Sequence, residues 1–378
     1  MAALVGGLVF ADRPAQARAT SPIAIRTASL TQDGQQLVWH VQLAGPFAPG
    51  YLERAGRSLC LAIERANGST EALVCVGSAR QGRSAGLFYM PIEAGGPGPA
   101  RAVAATLSRS GSTDLTASFL PSAIGRGYAS IRWQVVSAVD SPPCSVQCTT
   151  SFPARPALAR LHTPRLVGCV PSGPPLVYDR PTSHRVIALT FDDGPWTLTP
   201  EFLDVLEREH VHATFFQIGR QESTFGQAVD RRMLADGDMI GDHTWSHPNI
   251  SGAGAFAGAQ ITEAAAAIRA VTGGFQPCLL RAPGGAVSPA LVSEATSLGF
   301  TTINWDIDPR DWARPGVGAI YSNVIAHAHN GAIVIQHDGG GDRSETLAAL
   351  PHEIETLRAE GYQFVTVTEL LGQQLVYK

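Results

Sequence analysis

Lysine is almost missing from this chain. Lys378 is the only one among 378 residues, and every other basic side chain is arginine. Charge of either sign is sparse, at 16%, and the formal net charge is −4. No basic stripe or cluster is present, so the electrostatic footprint of a nucleic-acid partner is lacking. No apolar run nears the roughly 18 residues of a membrane helix, so no integral membrane span is expected. The run Gly339-Gly340-Gly341-Asp342 has neither the lysine nor the spacing of a phosphate loop. A basic start is also absent from the apolar stretch 2–10. Ala15-Gln16-Ala17 follows it with small residues at a cleavage-site spacing. Residues 1–20 are therefore expected to be a partial signal peptide, and the protein to be secreted or held in the cell wall or periplasm.

Six cysteines are present. Cys60 and Cys75 lie symmetrically about Asn67-Gly68, a two-residue hairpin signal, with strand-like flanks. A bridge across that hairpin is expected. An ideal two-residue turn would put the pair at a hydrogen-bonded site, so the register is expected to differ. Cys144, Cys148 and Cys169 fall in a Pro-rich stretch and Cys278 far beyond it; the number of possible pairings, about 15, leaves connectivity open. Cys144-x3-Cys148 has no histidine at finger spacing, which argues against a structural zinc site.

Residues 21–140 read as short strands (36–43, 58–63, 72–76, 102–107, 130–136) broken by turns such as 94–99, the pattern of a small all-β sandwich. Residues 141–183 are Pro-rich and without pattern, as in a connector. From 184 to 372, strands alternate with helices, which predicts an α/β fold with parallel strands and a site where strands end.

Polar residues recur at those ends. The first strand runs into Thr190-Phe191-Asp192-Asp193-Gly194-Pro195. Two adjacent carboxylates at a barrel mouth are costly unless one binds a metal and the other handles a proton. Next comes Asp242-His243-Thr244-Trp245-Ser246-His247-Pro248, whose histidines at i and i+4 can face one ion, as on a helical turn ending before Pro248. Two His and a carboxylate form a catalytic-zinc ligand set. Arg281-Ala282-Pro283-Gly284-Gly285, Trp305 to Trp312 and Ile335-Gln336-His337-Asp338 add an Arg, an Asp and a His for acid/base work.

These five blocks, in this order, resemble the polysaccharide deacetylase family (NodB homology, carbohydrate esterase family 4) over about 185–370. The resemblance implies a distorted (β/α) barrel with fewer than eight strands, preceded here by the small all-β domain. It implies that Asp193, His243 and His247 bind Zn²⁺, with Co²⁺ or another divalent ion as alternative. Asp192 would be the general base, tuned by Arg281. Gly284 would lend its N–H to the oxyanion where most relatives carry an aromatic. Asp311 would orient His337, the general acid, and Trp312 would line the pocket. The implied activity removes acetyl groups from N-acetylglucosamine in peptidoglycan or chitin-like polysaccharide. An O-acetyl xylan esterase on the same site and a non-catalytic glycan-binding protein are the alternatives.

Plainer readings exist for several residues. Asp192 and Asp193 could cap the next helix, and Arg281 could close the barrel mouth as an ion pair. Trp305 reads as core. Asp306 and Asp308 could cap their loop. His210, His212, His327, His329 and His352 read as solvated.

Overall fold

The computed structural model describes residues 23–47, 51–52, 56–77, 86–139 and 148–378. The expected signal segment and Cys144 lie outside these residues. The chain divides into two compact units, Met1–Arg165 and Leu166–Lys378.

The first unit holds two antiparallel sheets. One runs in the order Ile25–Asp33, Gln36–Leu43, Asp114–Phe119, Ala105–Ser108; the other runs Cys148–Ala159, Ile131–Val139, Arg57–Glu64, Thr70–Gly77, Gly86–Glu93. Alternation drives the packing: Leu37, Trp39, Val41 and Leu43 point inward from one strand and share a core with Leu61, Val74 and Val135 of the other sheet. The expected strand over 102–107 is two strands. Arg101–Val103 pairs with Gly86–Glu93 and Ala105–Ser108 with Asp114–Phe119, so the chain changes sheets at Ala104. The Pro-rich stretch contributes Cys148–Ala159, which pairs only with Ile131–Val139 at its sheet's edge, where proline costs no ladder bond.

The hairpin at Asn67-Gly68 is not a two-residue turn. Gly68 N–H donates to the Arg65 carbonyl, Arg65 N–H donates to Ser69, and Gly68 has φ 81°. That is a three-residue loop with a left-handed last residue. A register shift between Ile63 and Glu64 follows, and it leaves Cys60 opposite Cys75 with Cα atoms 4.0 Å apart. Their sulfurs meet at bonding distance.

In the second unit, seven parallel strands form one curled path. They are β1 (Leu176–Val177), β2 (Val186–Gly194), β3 (Thr214–Gln217), β4 (Met239–Asp242), β5 (Leu279–Leu280), β6 (Thr301–Ile303) and β7 (Ala332–His337), in the order β1-β6-β5-β4-β3-β2-β7. The short β8 (Gln363–Phe364) adds to β2. Just past β6, Ile307 bridges to Val334 of β7, which bends the sheet back on itself. The unit is thus a distorted (β/α) barrel. Its strands are continuous apolar runs because helices cover them. These are α1 (Thr199–Glu209), α2 (Gln227–Asp236), α3 (Ala255–Thr272), α4 (Pro289–Ser297), α5 (Val317–His327) and α6 (Ser344–Ala359). The core gathers Phe191, Phe202, Phe215 and Phe216, all fully buried. Cys169 and Cys278 meet at bonding distance within this unit. No helix among the described residues is long and apolar enough to cross a membrane.

Candidate active site

The carboxyl ends of β2, β4, β5 and β7 deliver their polar residues to one mouth, the end of a parallel sheet where sites form. Asp192 and His337 are register partners at the ends of β2 and β7. Asp193, one residue on, has φ 71°, and this turn swings its carboxylate away from that of Asp192.

The two histidines do not sit on a helical turn. Residues 243–250 are loop, and Thr244 and His247 have φ of 70° and 62°. Pro248 disfavours the right-handed helical region at His247, and the loop converges the two rings by left-handed turns instead. The Thr244 hydroxyl fixes this by accepting the His247 N–H at 3.1 Å.

Asp193 Oδ1 lies 3.2 Å from His247 Nε2 and 3.6 Å from His243 Nε2. Ligand bonds of about 2.0–2.1 Å set tetrahedral donor spacings of roughly 3.3 Å, so these three atoms fit one ion. His243 Nδ1–H donates to the Arg281 carbonyl at 2.7 Å, which turns the Nε2 lone pair toward Asp193. Burial lowers the His243 pKa and favours the neutral, ligating form. Burial would raise Asp193, but its bond to His247 and the nearby histidine charges hold it well below the usual carboxylate range. His247 is raised by its Asp193 partner.

Asp192 is held differently. Arg281 is fully buried and donates Nη1 to both Asp192 Oδ1 and Thr190 Oγ1 at 2.7 Å. Its remaining donors reach the carbonyls of Ile303 and Asn304. The guanidinium lies over Phe216 and Trp305; Trp305 is partly buried, packs against the core and also backs the site. Asp192 Oδ2 stands 3.7 Å from His243 Nε2, beside the candidate ligands.

His337 Nδ1–H donates to Asp311 Oδ1, and Asp311 Oδ2 takes the His337 N–H and the Thr346 hydroxyl, each at 2.8 Å. Burial lowers the His337 pKa, but Asp311 and the charges of Asp192 and Asp193 outweigh it and raise the value. Gly284 has φ 64° in a short turn, with open space where a Cβ would stand. Trp312, half exposed, carries Arg310 over its ring.

Other candidates fall away from this group. Asp306 accepts the Ile333 N–H and pairs with His329, and Asp308 caps its own turn through the Arg310 N–H. Sequence reasoning missed Thr190, Thr346 and Gln221, whose bonds are made across the barrel. It also gave no role to Asp338, which is fully buried, accepts the Thr199 hydroxyl and packs against Gly194. A carboxylate at the end of a buried strand was its only signal.

A family model described as polysaccharide deacetylase matches residues 179–303. A peptidoglycan-N-acetylglucosamine deacetylase of Bacillus cereus is 38% identical over 206 residues, 52% of this chain and 92% of the relative. A chitooligosaccharide deacetylase of a Bradyrhizobium species is 36% identical over 206 residues, 51% of this chain and 94% of the relative. The crystal structure of a peptidoglycan N-acetylglucosamine deacetylase in complex with a benzamide superposes with a TM-score of 0.50 at 30% identity, covering 52% of this chain and 92% of that one. With the motifs brought to one barrel mouth and such a relative matched over nearly its whole length, this chain belongs to the polysaccharide deacetylase family.

Proposed function

We propose that this protein is a metal-dependent hydrolase that removes acetyl groups from N-acetylglucosamine residues of peptidoglycan or chitin-like glycans outside the cytoplasm. The observation that carries the reading is the separation of two adjacent carboxylates. Asp193 stands with His243 and His247, while Asp192 is tied to Arg281. Relatives named for peptidoglycan N-acetylglucosamine and for chitooligosaccharides support an amide as the bond cleaved. The cysteine pairs suit export.

Asp193, His243 and His247 would hold one divalent ion, Zn²⁺ by donor type with Co²⁺ as alternative. Such an ion supplies a Lewis acid for the acyl carbonyl and lowers the pKa of water toward ~7. Asp192 Oδ2 accepts the proton of the attacking water, and Arg281 keeps Oδ1 occupied so that the carboxylate cannot rotate away. The Gly284 N–H donates to the developing oxyanion. His337, whose charged form Asp311 favours, gives a proton from Nε2 to the departing nitrogen. Trp312 lines the sugar's approach.

The test is acetate release followed by mass spectrometry on peptidoglycan fragments, chitooligosaccharides and acetylated xylan, with and without a chelator and with metal analysis of the pure protein. Loss of acetate from N-acetylated substrates that stops on chelation is expected. Activity confined to xylan would make it an O-acetyl esterase, and activity in metal-free protein would end the metal reading.

A further inference from the structure

Four consecutive residues, Ile218 to Gln221, join the loops that carry the candidate ligands, and Glu222 follows them. Ile218 N–H donates to the Gly194 carbonyl at 2.8 Å, and Gln221 Nε2 donates to the carbonyl of Asp193 at 3.0 Å. On the other side, Gly219 N–H donates to Thr244 and Arg220 N–H to Trp245, both at 3.0 Å. Segment 218–222 is thus a brace between the Asp193 turn and the His243–His247 loop.

The far end of the brace is Glu222, which opens a π-helical turn, Glu222–Gly226, ahead of α2. Such turns are rare and frequent at functional sites. This one folds the Glu222 side chain back over Gly226 toward Asp230. A Cβ at Gly226 would overlap Glu222 Oε2 and stand 3.5 Å from Asp230 Oδ2. Both acids are buried, at 1% and 0% exposure, and among the described residues no cation pairs with either. What faces them is a third buried carboxyl, Asp242 at the end of β4, and the amide of Gln217 on β3. The buried face of α3 brings no charge. Two ionised carboxylates in contact there would repel in a poorly solvated interior, whereas one shared proton gives a strong charge-assisted bond. Burial, and then the neighbouring Asp230, raise Glu222 well above the carboxylate range; burial raises Asp230 to about 7 against the lowering effect of its bonds to Glu222 and Gln217.

We propose that Glu222 and Asp230, sharing a proton, are positioning residues that anchor segment 218–222 and so set the spacing of the two ligand-bearing loops. The inference rests on reading Asp193, His243 and His247 as the metal set. It gives the pair a role in the reaction without contact with substrate. It also makes the brace sensitive to pH, because loss of the shared proton would leave two anions in contact.

The test compares wild type with Glu222→Ala and Glu222→Gln. Glutamine keeps a donor for Asp230 at position 222, whereas alanine removes it and leaves only the Gln217 amide. Amide hydrogen exchange of Ile218, Gly219 and Arg220 in metal-free protein reads the brace directly, with β2 amides as internal reference. Chelator competition with zinc reads the loops. In Glu222→Ala the three amides should lose protection while β2 keeps it, and zinc should bind about tenfold more weakly, the scale of outer-shell effects. Glu222→Gln should restore both. It should also hold zinc as pH is raised above a carboxyl's ordinary range, where the wild type weakens once the shared proton is lost. Unchanged exchange in Glu222→Ala overturns the brace. Lost protection with unchanged zinc affinity overturns its positioning role. If the wild type binds no zinc, the metal reading falls, and with it the positioning role; the exchange data then still decide the brace.

Discussion

His337 Nδ1 lies 2.8 Å from Asp311 Oδ1, and the second oxygen of that carboxylate receives the backbone N–H of the same histidine. One aspartate thus fixes the ring's tautomer, its orientation and its raised pKa at once. If imidazolium gives the proton to the leaving amine, activity falls as pH rises through this pKa. Asp311→Asn removes the largest raising cause, so the alkaline limb of the kcat profile should move to lower pH, with kcat down ~10²-fold or more. A limb that stays in place would assign it to another group.

The side-by-side carboxylates should separate on titration with zinc. Asp192→Asn keeps size and shape but cannot accept the proton, so turnover should fall ~10²–10⁴-fold with zinc still bound. Asp193→Asn should weaken zinc first, with activity partly recovered at high zinc. The opposite pattern would exchange their roles.

His337→Ala should keep zinc and lose more activity on N-acetyl than on O-acetyl substrates, because an amine must be protonated to leave and an alcohol needs this less. Parallel acetate assays on chitooligosaccharide and acetylated xylan measure the ratio. An equal loss on both would remove the general-acid role.

Gly284 leaves open space at the cleft wall, but its φ of 64° makes any L-residue there strained. Activity on branched or peptide-bearing glycans is therefore expected. Gly284→Tyr should lower it relative to linear oligosaccharides. Gly284→Asn, which tolerates the left-handed region, controls for strain. An unchanged substrate profile in the tyrosine variant would rule out the wide-cleft reading.

Glu353 is fully buried behind β7, with Gln336 Nε2 donating to both its oxygens at 3.0 Å. Burial pushes its pKa up to about 8. The folded state holds this proton more tightly than the unfolded chain does, so stability drains as pH rises from the ordinary carboxyl range to about 8. Glu353→Gln removes that dependence. Its melting temperature relative to wild type should climb over this interval by about 2–4 °C for each kcal/mol recovered. A constant difference between the two would show that Glu353 does not titrate there.

Much of the second unit was legible from residues alone. Buried apolar runs ending in Asp192, Arg281 and His337 announce parallel strands and the end that carries chemistry. The helix-like histidine spacing misled, because i and i+4 describe a helix only while the backbone is right-handed, and Thr244 and His247 are both left-handed, with Pro248 disfavouring helix at His247. Glu222 and Asp230 gave no warning, since isolated acids before and within a helix carry no local sign of burial.

The sequence by itself determined which residues can do the chemistry, the alternation of strand and helix, and the family. These depend on residue type and short-range order. Only the tertiary structure decided which of them meet, and at what distance. The curl of the sheet brings Arg281 to Asp192 across 89 positions, Asp311 to His337 across 26, and Gln221 to the Asp193 carbonyl across 28. Such contacts are set by strand order and packing, and no local pattern in the chain encodes them.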